Sequence, residues 1–147
     1  MRKANPYLLA AFALIALVWL TACERMLSGI EKDTVLAFSE STTDNLITGL
    51  AANDYAVFSR EFDSDIAEEV TVTTFATMKQ DLDNKLGKYL SRIVARVAQS
   101  DEFYVVDYQA KFEQAEAVKI TVAFHASDQT IAGFSFDTED VSWSTFR

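Results

Sequence analysis

The 147-residue chain predicts an α+β domain in which N-terminal helices pack on an antiparallel meander sheet of about four strands. Three observations predict it. The spacing of apolar residues changes from about 3.6 to about 2 after Gly87. Within the second regime, Val118, Ile120, Val122 and Phe124 alternate with Ala117, Lys119, Thr121, Ala123 and His125, as a sheet covered on one side requires. The extended segments also follow one another through short connections, which suit antiparallel neighbours rather than crossovers. Composition supports a packed core, since half of the residues are hydrophobic and 11 are Phe. One Pro and four Gly leave little room for long irregular loops.

The N-terminus, MRKANPYLLAAFALIALVWLTAC, is laid out as a secretory signal peptide: a positive start at Arg2 and Lys3, an apolar run from Tyr7 to Leu20, then small residues. The run is short for a transmembrane helix, which needs about 20 apolar residues. Leu20-Thr21-Ala22-Cys23 resembles the lipobox of bacterial lipoproteins. The resemblance implies a diacylglyceryl group on the Cys23 sulfur, cleavage before Cys23, and acylation of the freed amine, with palmitate-like chains. Two or three chains make membrane attachment stable where one is marginal. It divides the chain into a leader (1–22), a lipidated polar tether (23–32) and a domain (33–147). The expected location is the bacterial cell envelope, facing the periplasm or the exterior. Glu24 after the cysteine is not the Asp of inner-membrane retention, so the outer membrane is favoured where the host has one.

In the domain, Asp33 is placed to cap a helix running to about Ala52, with Val35, Phe38, Thr42, Leu46 and Leu50 as its buried stripe. Gly49 reads as a weak point in that helix, costing about 1 kcal/mol against Ala. Asn53-Asp54 breaks and recaps the chain for a short helix, Tyr55 to Arg60, which turns Tyr55, Phe58 and Phe62 toward the core. The acidic stretch DSDIAEEV (63–70) reads as a solvated loop rather than a cation site. Thr73 or Thr74 is suited to cap the next helix, which buries Phe75, Met78, Leu82 and Leu86 and stops at Gly87. Strands are expected at Tyr89–Ala98, Phe103–Phe112, Val118–His125 and Ile131–Phe136, with turns at Glu113–Glu116 and Ser127–Gln129. On the second of these, Tyr104, Val106, Tyr108, Ala110 and Phe112 share the apolar face, opposite Asp107, Gln109 and Lys111. The tail from Trp143 to Phe146 docks its aromatics on the domain or continues a sheet edge.

Three segments carry a family resemblance. GLAANDYAVFSREFDSDI resembles the first-helix signature of the nuclear-transport-factor-2-like, or cystatin-like, superfamily, in which a small-residue turn precedes Asp-Tyr and an aromatic pair. KLGKYLSRIVARV and YQAKFEQAEAVKITVAFHASDQTIAGFSF resemble more narrowly the domain-of-unknown-function family numbered 3887, through Leu86-Gly87, Tyr108 to Glu113, and Ile131 to Phe134. The resemblance spans roughly residues 40–136. It implies a cone, a curved sheet wrapped around helices with a cavity at the open end, and no particular activity.

Function classes narrow by exclusion. A net charge of −9 disfavours nucleic acid as a partner. One Cys and one His exclude Cys/His zinc sites, and no metal or cofactor is expected. No Ser/His/Asp elbow, GxGxxG or P-loop is present. His125 falls on the solvent side of its strand, Asp107 is out of phase with the tyrosines, and Asp54 and Asp63 suit helix caps. No catalytic residue is assigned. The candidate cavity lining is Phe38, Phe58, Phe62, Tyr104, Tyr108, Phe112, Phe124 and Phe134, with the packed core as the competing reading of the same residues. A buried Tyr104 or Tyr108 hydroxyl must reach the cavity mouth or an internal polar group. The leading expectation is a lipid-anchored, non-enzymatic module that binds a protein partner or a small apolar ligand. The alternative is a small-molecule isomerase or dehydratase using the cavity. A homodimer through the sheet face is a third reading.

Overall fold

The computed structural model describes residues 24–146; the leader and the acylation candidate Cys23 lie outside the described residues. The elements in order are β1 (Arg25–Met26), α1 (Gly29–Ala52), α2 (Tyr55–Phe58), α3 (Ser64–Glu69), α4 (Val72–Leu86), β2 (Tyr89–Gln99), β3 (Phe103–Phe112), β4 (Ala115–His125), β5 (Ile131–Asp137) and β6 (Ser142–Ser144). The strands form one six-stranded sheet in sequence order, every neighbouring pair antiparallel. The α+β plan and the meander are therefore as the sequence predicts, with six strands in place of four. The two extra strands are short edges of two and three residues. Bulges interrupt the ladders at Tyr89/Ser91, Val94/Arg96, Ala110/Phe112 and Ala123/Phe124, and each bends its strand and increases local twist.

Local signals explain the helices. Asp54, Asp63 and Thr71 each accept a hydrogen bond from a backbone N–H three residues on, capping α2, α3 and α4. Thr71, not Thr73 or Thr74, starts α4. Asn53 ends α1 in the left-handed conformation that Asn tolerates, at φ 56°. Residues 63–70 are not a loop: Asp63 caps α3, and Ile66 and Val70 are buried under it. Tyr55 ties this segment down by donating its hydroxyl to the Val70 carbonyl at 2.7 Å.

The N-terminal segment differs most from expectation. Residues 24–32 are not a free tether. Arg25 and Met26 pair with Gln99 and Ala98, Leu27 is buried, and α1 begins at Gly29, four residues before Asp33. The buried stripe of α1 is also rotated slightly, to Val35, Ser39, Thr43, Leu46, Ile47, Gly49 and Leu50. Phe38 and Thr42 sit half-buried at its margin. Polar Thr43 is inside because the sheet opposes it with the Tyr108 hydroxyl, described below, and Ser39 is buried one turn before it.

The core lies between the helices and the inner sheet face, where Val106, Tyr108, Ala110 and Phe112 of β3 meet Val118, Ile120, Val122 and Phe124 of β4. Trp143 on β6 extends the same face and donates its indole N–H to Asp81 of α4 at 3.0 Å. That bond, with Lys85 beside it, holds the Asp81 carboxyl below its ordinary range. Among the described residues no helix is long and apolar enough to cross a membrane.

Candidate functional site

One end of the helix–sheet sandwich is incompletely filled. α1 brings Ile47, Leu50 and Ala51 to it, α4 brings Lys79, Leu82 and Asp83, and the sheet brings Tyr89, Phe112 and Phe136. Gly87, Lys88, Glu113 and Gln114 form the rim. The pocket is about 500 Å³, inside the range of roughly 300–1,000 Å³ typical of small-molecule sites.

The rim is built by two turns that hydrogen-bond to each other. Gly87 leaves α4 at φ 72°, ψ −158°, a region essentially reserved for glycine. Its carbonyl-side neighbours then engage the β3–β4 turn: Glu113 N–H donates to the Lys88 carbonyl, Gln114 N–H to the Leu86 carbonyl, and Lys88 N–H to the Glu113 carboxylate. A Cβ at position 87 would stand 3.0 Å from Glu113 Cβ. Lys79 and Asp83 pair one helical turn apart on the α4 wall. Apolar and aromatic side chains thus share the lining with charged groups, of which Asp83 is solvated and Lys79 largely buried. Such an arrangement suits a ligand with an apolar body and a polar end.

A buried polar cluster lies next to this pocket, one turn back along α1. The Tyr108 hydroxyl and Thr43 Oγ1 are 3.2 Å apart, which satisfies the phenol inside the core. The Arg92 guanidinium sits 4.9 Å from the centre of the Tyr108 ring and donates to Asp44 at 2.6 Å. Arg92 is only 8% exposed, whereas its partner Asp44 is largely solvated. Burial opposes the Arg92 charge, but hydrogen bonding to Asp44 and Tyr89 and the charge of Glu40 outweigh it, so its pKa lies above the ordinary value. Burial pushes the Tyr108 phenol up to about 12. The fold therefore favours the neutral phenol. That contribution is fully present below about pH 10, the ordinary tyrosine value, and is lost as pH rises toward about 12. Spectrophotometric titration is expected to show one tyrosine ionising late, and Tyr108→Phe is expected to remove that late step alone.

Of the eight aromatics proposed as cavity lining, Phe112 lines the pocket. Phe58, Tyr108, Phe124 and Phe134 are fully buried core instead. Phe38 packs edge-on against Phe124, with Tyr104 tilted beside it, and Phe62 stacks on Phe134. The sheet face was read correctly, but its middle is filled by helix side chains and only its Phe112 end is left open.

His125 and Asp63, read separately as a solvent-facing side chain and a helix cap, meet. Nε2 of His125 lies 2.8 Å from Asp63 Oδ2, while Asp63 Oδ1 keeps its capping bond to Ile66 N–H. They border a smaller pocket of about 230 Å³ with Phe103 and Phe146. Thr145 Oγ1, the hydroxyl in that pocket's lining, is engaged with the Phe134 backbone. Asp107 lies on the outer face, as its phase requires, yet is only 6% exposed. It accepts from Arg96 Nε and Thr121 Oγ1, both at 2.7 Å, with Lys119 at 3.7 Å. Among the described residues no group of three His, Cys, Asp or Glu is placed to hold a metal ion.

A family model described as protein of unknown function (DUF3887) matches residues 43–134, well over half of the chain. Neither a curated protein nor a solved structure matches.

Proposed function

The chain belongs to the DUF3887 family of proteins of unknown function, and from that premise we propose a non-enzymatic binding module, held on a bacterial envelope membrane by acyl chains on Cys23, that takes a small, mainly apolar ligand. The observation that carries the reading is the pocket of about 500 Å³ between α1, α4 and the β3–β4 turn, with its apolar and aromatic side chains and its charged groups. Of its ionisable groups, Asp83, Lys88 and Glu113 are exposed, and Lys79, largely buried, is paired with Asp83. An enzyme of the isomerase or dehydratase kind needs an acid or base aimed into the apolar interior. The lipobox and the apolar leader support the anchor, and the location is the envelope, in the outer membrane where the host has one. The four bulges, each of which bends its strand, support a reading of the sheet as a cystatin-like cone.

A thermal-shift series with straight-chain alcohols and carboxylates of increasing length tests the ligand. A pocket binder at a hundred times its Kd stabilises by about 2.7 kcal/mol. A midpoint that rises, saturates, and is greatest at one chain length supports the reading. A midpoint that is flat or falls steadily with chain length contradicts it.

A further inference from the structure

The chain is tied to the fold from Glu24 onward. Glu24 accepts from Arg96 Nη1 at 3.0 Å. Arg25 and Met26 are paired to β2, the Leu27 N–H donates to the Val97 carbonyl at 2.9 Å, and the Leu27 side chain is buried. Arg25 reaches across to Glu31 and Gln99. The acylation candidate is the residue that directly precedes this paired run. An acyl chain attached there is joined to the sheet edge through a single peptide unit.

Resting on the acylation reading, we propose that the domain docks directly on the lipid bilayer through its β1 end, with the pocket held at the far end, facing the aqueous side. Two apolar side chains flank the attachment point and are exposed: Met26 at 59% and Ile30, in the first turn of α1, at 85%. They lie three and seven residues along the chain from the attachment point, where apolar side chains can enter the headgroup boundary beside the acyl chains. The bilayer is the occupant that fits, because the covalent chains would begin at this patch and draw it to the surface. The acidic net charge of −9 gives no general attraction to anionic lipid, so docking is apolar and insensitive to salt.

The two longest directions in the fold then set the orientation. β2 runs from Tyr89 on the pocket wall to Gln99 beside β1, roughly 33 Å at strand rise. α1 spans the same two ends in the opposite chain sense, from Ile30 to Leu50 on the pocket wall, roughly 30 Å at helix rise. The mouth therefore receives its ligand from solution, not from the membrane in which the protein is anchored.

The test uses the full chain purified from bacterial membranes, with acylation read from its intact mass, in phosphatidylcholine vesicles carrying a spin-labelled lipid. An environment-sensitive fluorophore is placed at Ile30→Cys or at Asn84→Cys, an exposed position on α4 beside the pocket. The Cys23 sulfur is blocked by its thioether, so only the introduced thiol is labelled. The expected result is quenching about tenfold stronger at position 30 than at position 84, unchanged by salt. Equal quenching at both positions in acylated protein overturns the docking and leaves the anchor standing. An unmodified sulfur in the purified chain overturns both.

Discussion

Gly49→Ala is expected to destabilise the domain by about 3 kcal/mol, seen as a lower urea midpoint. Helix propensity alone gives the opposite sign, a gain of about 1 kcal/mol. Packing decides between them. A Cβ at position 49 would stand 2.3 Å from the backbone nitrogen of Phe58, 2.6 Å from its Cα and 2.9 Å from the Asp54 carbonyl oxygen. These are backbone atoms of α2, not ends of flexible side chains. They cannot yield locally, because the Phe58 N–H is bonded to the Asp54 carbonyl and Asp54 caps the same turn. Gly49 is therefore the point at which α2 crosses α1 in backbone contact, and the apparent weak spot in the helix is what the junction requires. A variant more stable than the parent would show that α2 can move off α1 freely.

Phe58→Ala is expected to cost about 4 kcal/mol, at the high end for a single core truncation. Phe58 is fully buried, with ring centroids of Phe75, Phe62 and Phe134 at 4.8, 5.2 and 5.5 Å. It joins α2, α4 and β5 in one cluster, and the surrounding rings are too rigid to close the hole. Phe62→Ala, at a half-buried ring stacked on Phe134, is the control and should lose about half as much. Equal losses in a chemical denaturation series would mean that the cluster has no centre at Phe58. Because Gly49 and Phe58 are in contact, their combined effect should fall short of the sum.

Where the sequence has a strong period, its reading and the structure agree closely. β3 spans Phe103–Phe112 as expected, and the apolar phase of β4 is the buried phase. Two- and three-residue strands have no period to read, so β1, whose partner lies far along the chain, is not legible, while β6 is the sheet-edge alternative expected for the tail. The slip on α1 has a different cause. Hydropathy favours Phe38 over Ser39, and helical spacing from Phe38 then selects Thr42, but the Tyr108 hydroxyl across the interface pairs with Thr43 in the interior. The same limit hid the pocket. Its walls come from α1, α4, β2, the β3–β4 turn and β5, so no single stretch announces it. The nearest signals were Gly87 and the Glu113 turn, two chain reversals that the fold stacks on each other. Phe112, the one proposed lining residue that is in place, ends a strand at that rim.

The account depends on this pocket being the site of binding, and a blocked variant tests that most directly. Ala51 lines the pocket yet is exposed, so Ala51→Trp lays an indole across the mouth without entering the core. Titration of both proteins with the neutral apolar probe N-phenyl-1-naphthylamine should give saturable one-to-one binding to the parent. The variant, with an unchanged thermal midpoint, should bind at least about tenfold more weakly, a difference of roughly 1.4 kcal/mol. Equal affinity in the two proteins, or no saturable binding to the parent, would contradict the assignment of the pocket as a ligand site.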